Sequence, residues 1–245
     1  MENINTQAFL DDTLLVIDKI EDTQLDNIIA AAKICSDSIE NDGVIHVFGS
    51  GHSIGFGMEL TGRPGALVPV KPMRTRDFVT SGMYTLEEYQ DMDNIFERRP
   101  GIAQRFYELY DIRDQDVFII ISNSGINGLV IDLAMAAKEN NQKVIVVTSL
   151  DHTLNADSRH PSKKKLMDFG DIVIDNCGPK GDAMLDLADG GKIGSVSSIA
   201  GIYIAQALEI AIVKNLVENN IEVPVLLSDD KEHNNRLLEK YKGRI

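Results

Sequence analysis

The chain has 245 residues, with 24 Lys and Arg against 38 Asp and Glu, a formal net charge of −14. That balance argues against a DNA or RNA backbone as partner, because an acidic surface repels a polyanion. A small phosphate ester is not excluded, since local amide and hydroxyl donors can bind it. The length suffices to bury a sizeable core, and one domain spanning 1–245 is expected. Only Cys35 and Cys177 are present, too few for a disulfide framework or a structural zinc site, and no metal or other cofactor is expected.

The opening Met1-Glu2-Asn3-Ile4 lacks the basic and apolar regions of a signal peptide, so a soluble cytoplasmic protein is expected. N-terminal helices are expected over about 5–41. One covers 6–19; in the other, over 24–40, Leu25, Ile28, Ile29, Ala32, Cys35 and Ile39 recur at three- and four-residue spacing. Short runs rich in branched apolar residues follow at 44–48, 67–70, 117–121, 144–148 and 172–175, with a helical pattern over 129–138 between them. Continuous apolar strands separated by helices predict a parallel sheet covered on both faces. The expected fold class is therefore α/β, a three-layer αβα sandwich with a five-stranded parallel sheet.

Three strand ends carry unusual loops. The first strand empties into Gly49-Ser50-Gly51-His52-Ser53, the third into Ser122-Asn123-Ser124-Gly125-Ile126-Asn127 and the fourth into Thr148-Ser149-Leu150-Asp151-His152-Thr153. Loops that open a helix present backbone N–H groups and hydroxyls at the positive end of its dipole, which suits a phosphate. In a parallel sheet they share the carboxyl edge, where ligands bind. A phosphorylated small molecule is expected there, with Ser50, Gly51, Ser53, Ser122, Asn123, Ser124, Asn127, Ser149 and Thr153 as its donors. Helix capping would explain one serine per loop but not the clustering.

A rival for the first loop is a dinucleotide fold, since Gly49, Gly51 and Gly55 approximate a glycine fingerprint. The next strand would then end on an acidic residue, whereas here the chain reads Val70-Lys71-Pro72. The serine-rich second loop also has no role in that scheme.

Residues 71–100 mix charges with scattered apolar residues and read either as a lid or as a solvated excursion. The basic loop 158–165 reads as surface, or as an attractor of an anion. Gly178-Pro179-Lys180-Gly181-Asp182 follows the last strand at the same edge. There Asp182 could accept from a sugar hydroxyl and Lys180 could neutralise charge, or the segment is a plain turn. The helix expected over 195–218 is apolar almost all round. Gln206, Glu209, Lys214 and Asn215 argue against a membrane span, and cover on more than one side predicts a homodimer or homotetramer. A C-terminal helical extension over about 228–245 reads as a solvated tail.

The three loops in register resemble the sugar isomerase (SIS) domain family, whose members bind phosphosugars, and the resemblance spans 24–218. It implies a flavodoxin-like SIS fold and a phosphosugar ligand. Glu59-Leu60-Thr61-Gly62-Arg63 resembles the matching helix of the phosphoheptose isomerases, where a glutamate is the catalytic base, and implies that role for Glu59. Those enzymes also use histidines on this helix and on the long later helix. Here Gly55 stands one turn before Glu59 and no histidine occurs between Ser195 and Glu218, so their metal and their substrate are not carried over. In SIS dimers a neighbouring chain often completes the site, and His233 is the residue a neighbour would bring.

Aldose–ketose interconversion removes a proton beside a carbonyl and returns it to the next carbon, while a second group moves the hydroxyl proton. Glu59 follows Ser53 by six residues, roughly 9 Å along a helix, a fitting reach from phosphate to the first sugar carbons. His52 could open the ring or move the second proton. Against these roles stand an ion pair between Glu59 and Arg63 and a loop-capping His52. Two other functions use the same residues: a non-catalytic phosphosugar sensor, and a lyase or etherase acting on an amino-sugar phosphate.

Overall fold

The branched apolar runs form the parallel strands β1 (Ile45–Gly49), β2 (Val70–Met73), β3 (Val117–Ile121), β4 (Lys143–Thr148) and β5 (Ile172–Asp175), in the order β2-β1-β3-β4-β5. The computed structural model describes residues 4–188 and 190–245, so Met1-Glu2-Asn3 lies outside it. Chain order reverses between β1 and β3, which makes their carboxyl ends the switch point where such sheets take ligands. The register sets Gly49 beside Ile121, and Ile121 beside Val147, so the loops that follow start level with one another.

The helices are α1 (Thr6–Glu40), α2 (Ile54–Glu59), α3 (Asp77–Thr80), α4 (Leu86–Gln90), α5 (Gln104–Leu109), α6 (Gly128–Glu139), α7 (Leu150–Leu154), α8 (Ser197–Glu218) and α9 (Lys231–Lys240). Every position of β1 and β3 is buried, as a sheet covered on both faces requires. Ile45, Val47, Ile119, Ile121, Ile145 and Val147 face α1, α2 and α8, whereas Phe48, Phe118, Ile120, Val144 and Val146 face α6 and the aromatic residues of 78–106. These are the three layers of the expected sandwich.

The two helices expected before β1 are one. No glycine or proline interrupts Thr6–Glu40, and the buried residues Val16 and Ile20 carry the apolar stripe across to Ile28. The Asn5 side chain caps its start by accepting from Ala8 N at 2.8 Å. The second strand begins three residues later than the apolar run suggested. Leu67 instead makes an antiparallel bridge with Val225, and its N–H goes to Glu209 Oε1 at 3.0 Å. Pro72, which has no N–H to give, is tolerated because β2 is an edge strand.

Other segments also differ from expectation. Residues 71–100 are neither a free lid nor a solvated excursion: Phe78 and Phe96 are buried, and Phe78 packs on Phe106 at 4.4 Å between centroids. After β5 an antiparallel hairpin, β6 (Ala183–Asp186) with β7 (Lys192–Ser195), delays the long helix until Ser197. The C-terminal extension is docked, with Leu237 and Tyr241 buried against Val44 and Val68. One side of α8, including Ala200, Gly201, Ile204 and Leu208, packs on α1 and α2, while Ile199, Ile202, Ile210 and Val217 are exposed on the other. Length and composition alone would let α8 cross a membrane, but its apolar packing face is used inside the fold.

Candidate functional site

The first loop is shaped by contact between backbones. A Cβ on Gly49 would stand 2.6 Å from the Ser53 carbonyl oxygen, so only glycine lets the chain fold back so tightly. Gly51 has φ +56°, and Ser53 N donates to the Ser50 carbonyl at 3.1 Å. The resulting single turn runs straight into α2.

The second loop is held by the third. Gly125 has φ +64°, and its N–H donates to Ser122 Oγ at 3.2 Å. Thr148 Oγ1 lies 2.7 Å from the Ser122 carbonyl, Thr153 Oγ1 lies 2.9 Å from the Ser124 carbonyl, and the two hydroxyls are 2.8 Å apart. With one proton apiece they fill two of these three contacts at a time. Ser149 Oγ donates to the Gly178 carbonyl at 2.7 Å and accepts from His152 N at 3.0 Å. Thr153 and Ser149 are fully enclosed, so in this geometry they shape the loop rather than face a ligand.

His52, Ser53 and Asn123 do converge. With Gly55, Asn176, Ser197 and Ser198 they line a cleft of about 360 Å³, open mouth included, at the β1/β3 switch point. Its interior is narrow. Asn176 Nδ2 donates to Asn123 Oδ1 at 2.9 Å, tying the end of β5 to the second loop.

The remaining expected residues are placed as follows. The Asn127 amide is occupied, giving Nδ2 to Glu97 Oε1 at 3.2 Å and taking Arg159 Nη1 at 2.7 Å. The Asp182 carboxylate caps α8, accepting from Val196 N, Ser197 N and Ser197 Oγ at 3.1, 2.7 and 2.7 Å. Lys180 is exposed, with its N–H on Asp151. His233 Nε2 donates to the Val225 carbonyl at 3.0 Å and does not line the cleft.

Glu59 ends α2. Its Oε1 accepts from Arg63 Nη2 at 3.0 Å and from Gln206 Nε2 at 2.9 Å, so the ion pair weighed against catalysis is formed. Gln206 and Glu209 were legible only as polar breaks in an apolar helix. Asn176, Ser197 and Ser198 gave no signal of their own, since only the topology brings them to this edge. Among the described residues, no group of three or more His, Cys, Asp and Glu side chains could hold a metal ion.

The SIS domain family model matches residues 8–149, which include the first two loops and α2. The chain belongs to the SIS domain family. This SIS protein is 37% identical over 242 residues to a UPF0309 protein of Listeria innocua, covering 97% of this chain and 96% of the relative. It is 36% identical over 246 residues to a UPF0309 protein of Thermoanaerobacter pseudethanolicus, covering 97% of each. Among solved structures, the phosphoheptose isomerase of Neisseria gonorrhoeae superposes with a TM-score of 0.57 at 19% identity, over 84% of this chain and 95% of that one. That of Francisella tularensis gives 0.56 at 17% identity, over the same shares. At such identities the likeness establishes the SIS fold.

Proposed function

We propose that this SIS protein binds a sugar phosphate in the cleft between the first and second loops and interconverts its aldose and ketose forms. The observation that carries the reading is the convergence of Ser53 and Asn123, from separate strand ends, on one cleft at the switch point. The phosphate rests on the hydroxyl and amide donors of the two loops. The sugar then extends along α2 toward Glu59, which takes the proton from the carbon beside the carbonyl and returns it to the neighbouring carbon. His52, exposed at the mouth, moves the hydroxyl proton and must swing aside to admit the ligand. Such proton transfer needs neither metal nor redox cofactor. The exposed stripe Ile199, Ile202, Ile210 and Val217 supports a homodimer or homotetramer built on α8. The ligand's chemistry and the acidic chain suit the cytoplasm.

A second reading has its own observation. Glu59 Oε1 already holds two donors, which is also what a structural pair in a phosphosugar sensor would show. Incubation in deuterated water with hexose, heptose and N-acetylamino-sugar phosphates separates the readings. Deuterium entering beside the carbonyl, and absent with Glu59→Gln, establishes isomerase chemistry. Binding without exchange establishes the sensor, and loss of a side group establishes elimination. Equal exchange by parent and Glu59→Gln removes Glu59 from the mechanism.

A further inference from the structure

Two acids flank one guanidinium where α2 meets α8. Arg63 Nη2 lies 3.0 Å from Glu59 Oε1 and 3.7 Å from Glu209 Oε2. The Glu209 side chain is only 7% exposed, against 30% for Glu59 and 40% for Arg63. Its other oxygen accepts from Leu67 N at 3.0 Å, which fixes the carboxylate against the chain that follows α2. Burial pushes the Glu209 carboxyl above its ordinary range; the Leu67 amide, Arg63 and Gln206 oppose that push and Glu59 adds to it. Packing of α8 alone does not ask for a carboxylate here, because an apolar side chain of similar volume would fill the space without the cost of desolvating a charge.

We propose that Glu209 is a positioning residue for the isomerisation, standing beside the Arg63 guanidinium and supplying its counter-charge when Glu59 takes up a proton. The role rests on Glu59 being the base. A carboxylate sealed to its own guanidinium is a poor proton acceptor, because protonation strands the cation. With both acids ionised, the trio carries one net negative charge. Once Glu59 holds the substrate proton, Arg63 and Glu209 still neutralise each other. Without the Glu209 charge, the same step would strand a cation in a half-buried setting, where charge interactions exceed those in bulk water. Gln206, three residues before Glu209 on α8, donates to Glu59 Oε1 at 2.9 Å and so holds that carboxylate against α8 beside the guanidinium.

The test is Glu209→Gln, which keeps the volume and an acceptor for Leu67 N–H while removing the charge. Deuterium exchange should slow by at least about tenfold at saturating sugar phosphate, with KM changed by less than about twofold. Adding Glu209→Gln to Arg63→Met should slow exchange no further, since the cation to be balanced is gone. Unchanged kcat in Glu209→Gln, alongside an inactive Glu59→Gln, overturns the role of Glu209 and leaves the base in place. An active Glu59→Gln overturns both. A readout on the parent needs neither turnover nor a folded variant: carboxyl NMR should show Glu209 titrating above the usual range, with the Arg63 guanidinium signals moving in step. Arg63 signals that ignore that titration refute the proposal.

Discussion

Arg244 donates through Nη2 to both carboxylate oxygens of Asp116, at 2.8 and 2.6 Å, and so pins the C-terminal extension to the residue just before β3. Asp116 is buried and also accepts from Val44 N at 2.9 Å, Arg113 N at 2.9 Å and His46 Nε2 at 2.9 Å. Removing the guanidinium leaves a buried anion without its hydrogen-bonded cation. Arg244→Met should therefore lower the stability read from urea unfolding by about 3 kcal/mol. A loss under about 1 kcal/mol would mean that His46 and the two amides suffice.

The same carboxylate predicts an acid limb. Burial would raise the Asp116 carboxyl, but hydrogen bonds from His46, Arg113, Arg244 and Val44 outweigh it and hold the group below the usual carboxylate range. A folded-state value below the unfolded one of about 3.9 adds stability that is present above that pH and lost as pH falls through the folded value. Melting temperatures should fall as pH drops below about 4. Asp171, held low by Lys138, the Val144 amide and Lys143 against its own burial, acts in the same window. Asp116→Asn should melt lower at neutral pH and with a shallower dependence on acid.

Gly51 and Gly125 separate backbone strain from crowding. Both have positive φ, but a Cβ on Gly51 meets nothing, whereas one on Gly125 stands 3.0 Å from both Thr148 Oγ1 and Thr153 Oγ1. Gly51→Ala should cost about 1 kcal/mol for the left-handed conformation alone. Gly125→Ala should cost more and weaken sugar phosphate binding, since it pushes the hydroxyls that hold the second loop. Equal destabilisation in paired denaturant curves would count against the threonine support.

Asp182 offers a control between cap and ligand. Asp182→Ala removes three acceptor contacts at the start of α8 and should cost roughly 1–2 kcal/mol. Affinity for sugar phosphates, measured by calorimetry, should stay within about twofold, equivalent to about 0.4 kcal/mol. A larger loss would put Asp182 on the sugar.

Assembly is tested on the uncovered side of α8. Ile210 and Val217 are 67% and 59% exposed and lie two turns apart on one stripe. Ile210→Glu with Val217→Glu should shift the sedimentation profile to the monomer while the circular dichroism of the fold is kept. A parent that already sediments as a monomer would end the oligomer proposal.

The layers are legible in the sequence because parallel strands buried on both faces leave continuous branched apolar runs, and the runs 117–121 and 172–175 coincide with β3 and β5. The gap left between the helices expected over 6–19 and 24–40 holds Glu21, Asp22 and Thr23, and α1 runs straight through it. Charge on the outer face does not stop a helix whose inner face, Val16 and Ile20, stays buried. The candidate cleft is legible in the sequence only in part. Loop composition marked Ser53 and Asn123, which face the cleft, but marked Ser149 and Thr153 equally, because a serine that shapes a loop and one that greets a ligand look alike in sequence. Only the folded chain shows that Ser149 Oγ belongs to Gly178. Gln206 and Glu209 read in the sequence only as polar breaks, because their contacts with Glu59 and Arg63 are a meeting of α8 with α2 and the chain just after it, far apart in the chain.

The two glycines of α2 are not equivalent, and the difference bears on how the pocket could be retuned. A methyl on Gly57 would press on Val47 Cγ1 at 3.3 Å, so strand packing accounts for that glycine. One on Gly55 would meet nothing, although a glycine inside a helix forgoes about 0.5–1 kcal/mol relative to alanine. Gly55 borders the cleft, so a bulkier residue there would intrude on the wall beside Ser53. If the cleft takes the sugar phosphate proposed above, a side chain at Gly55 would narrow what it admits while strengthening the helix.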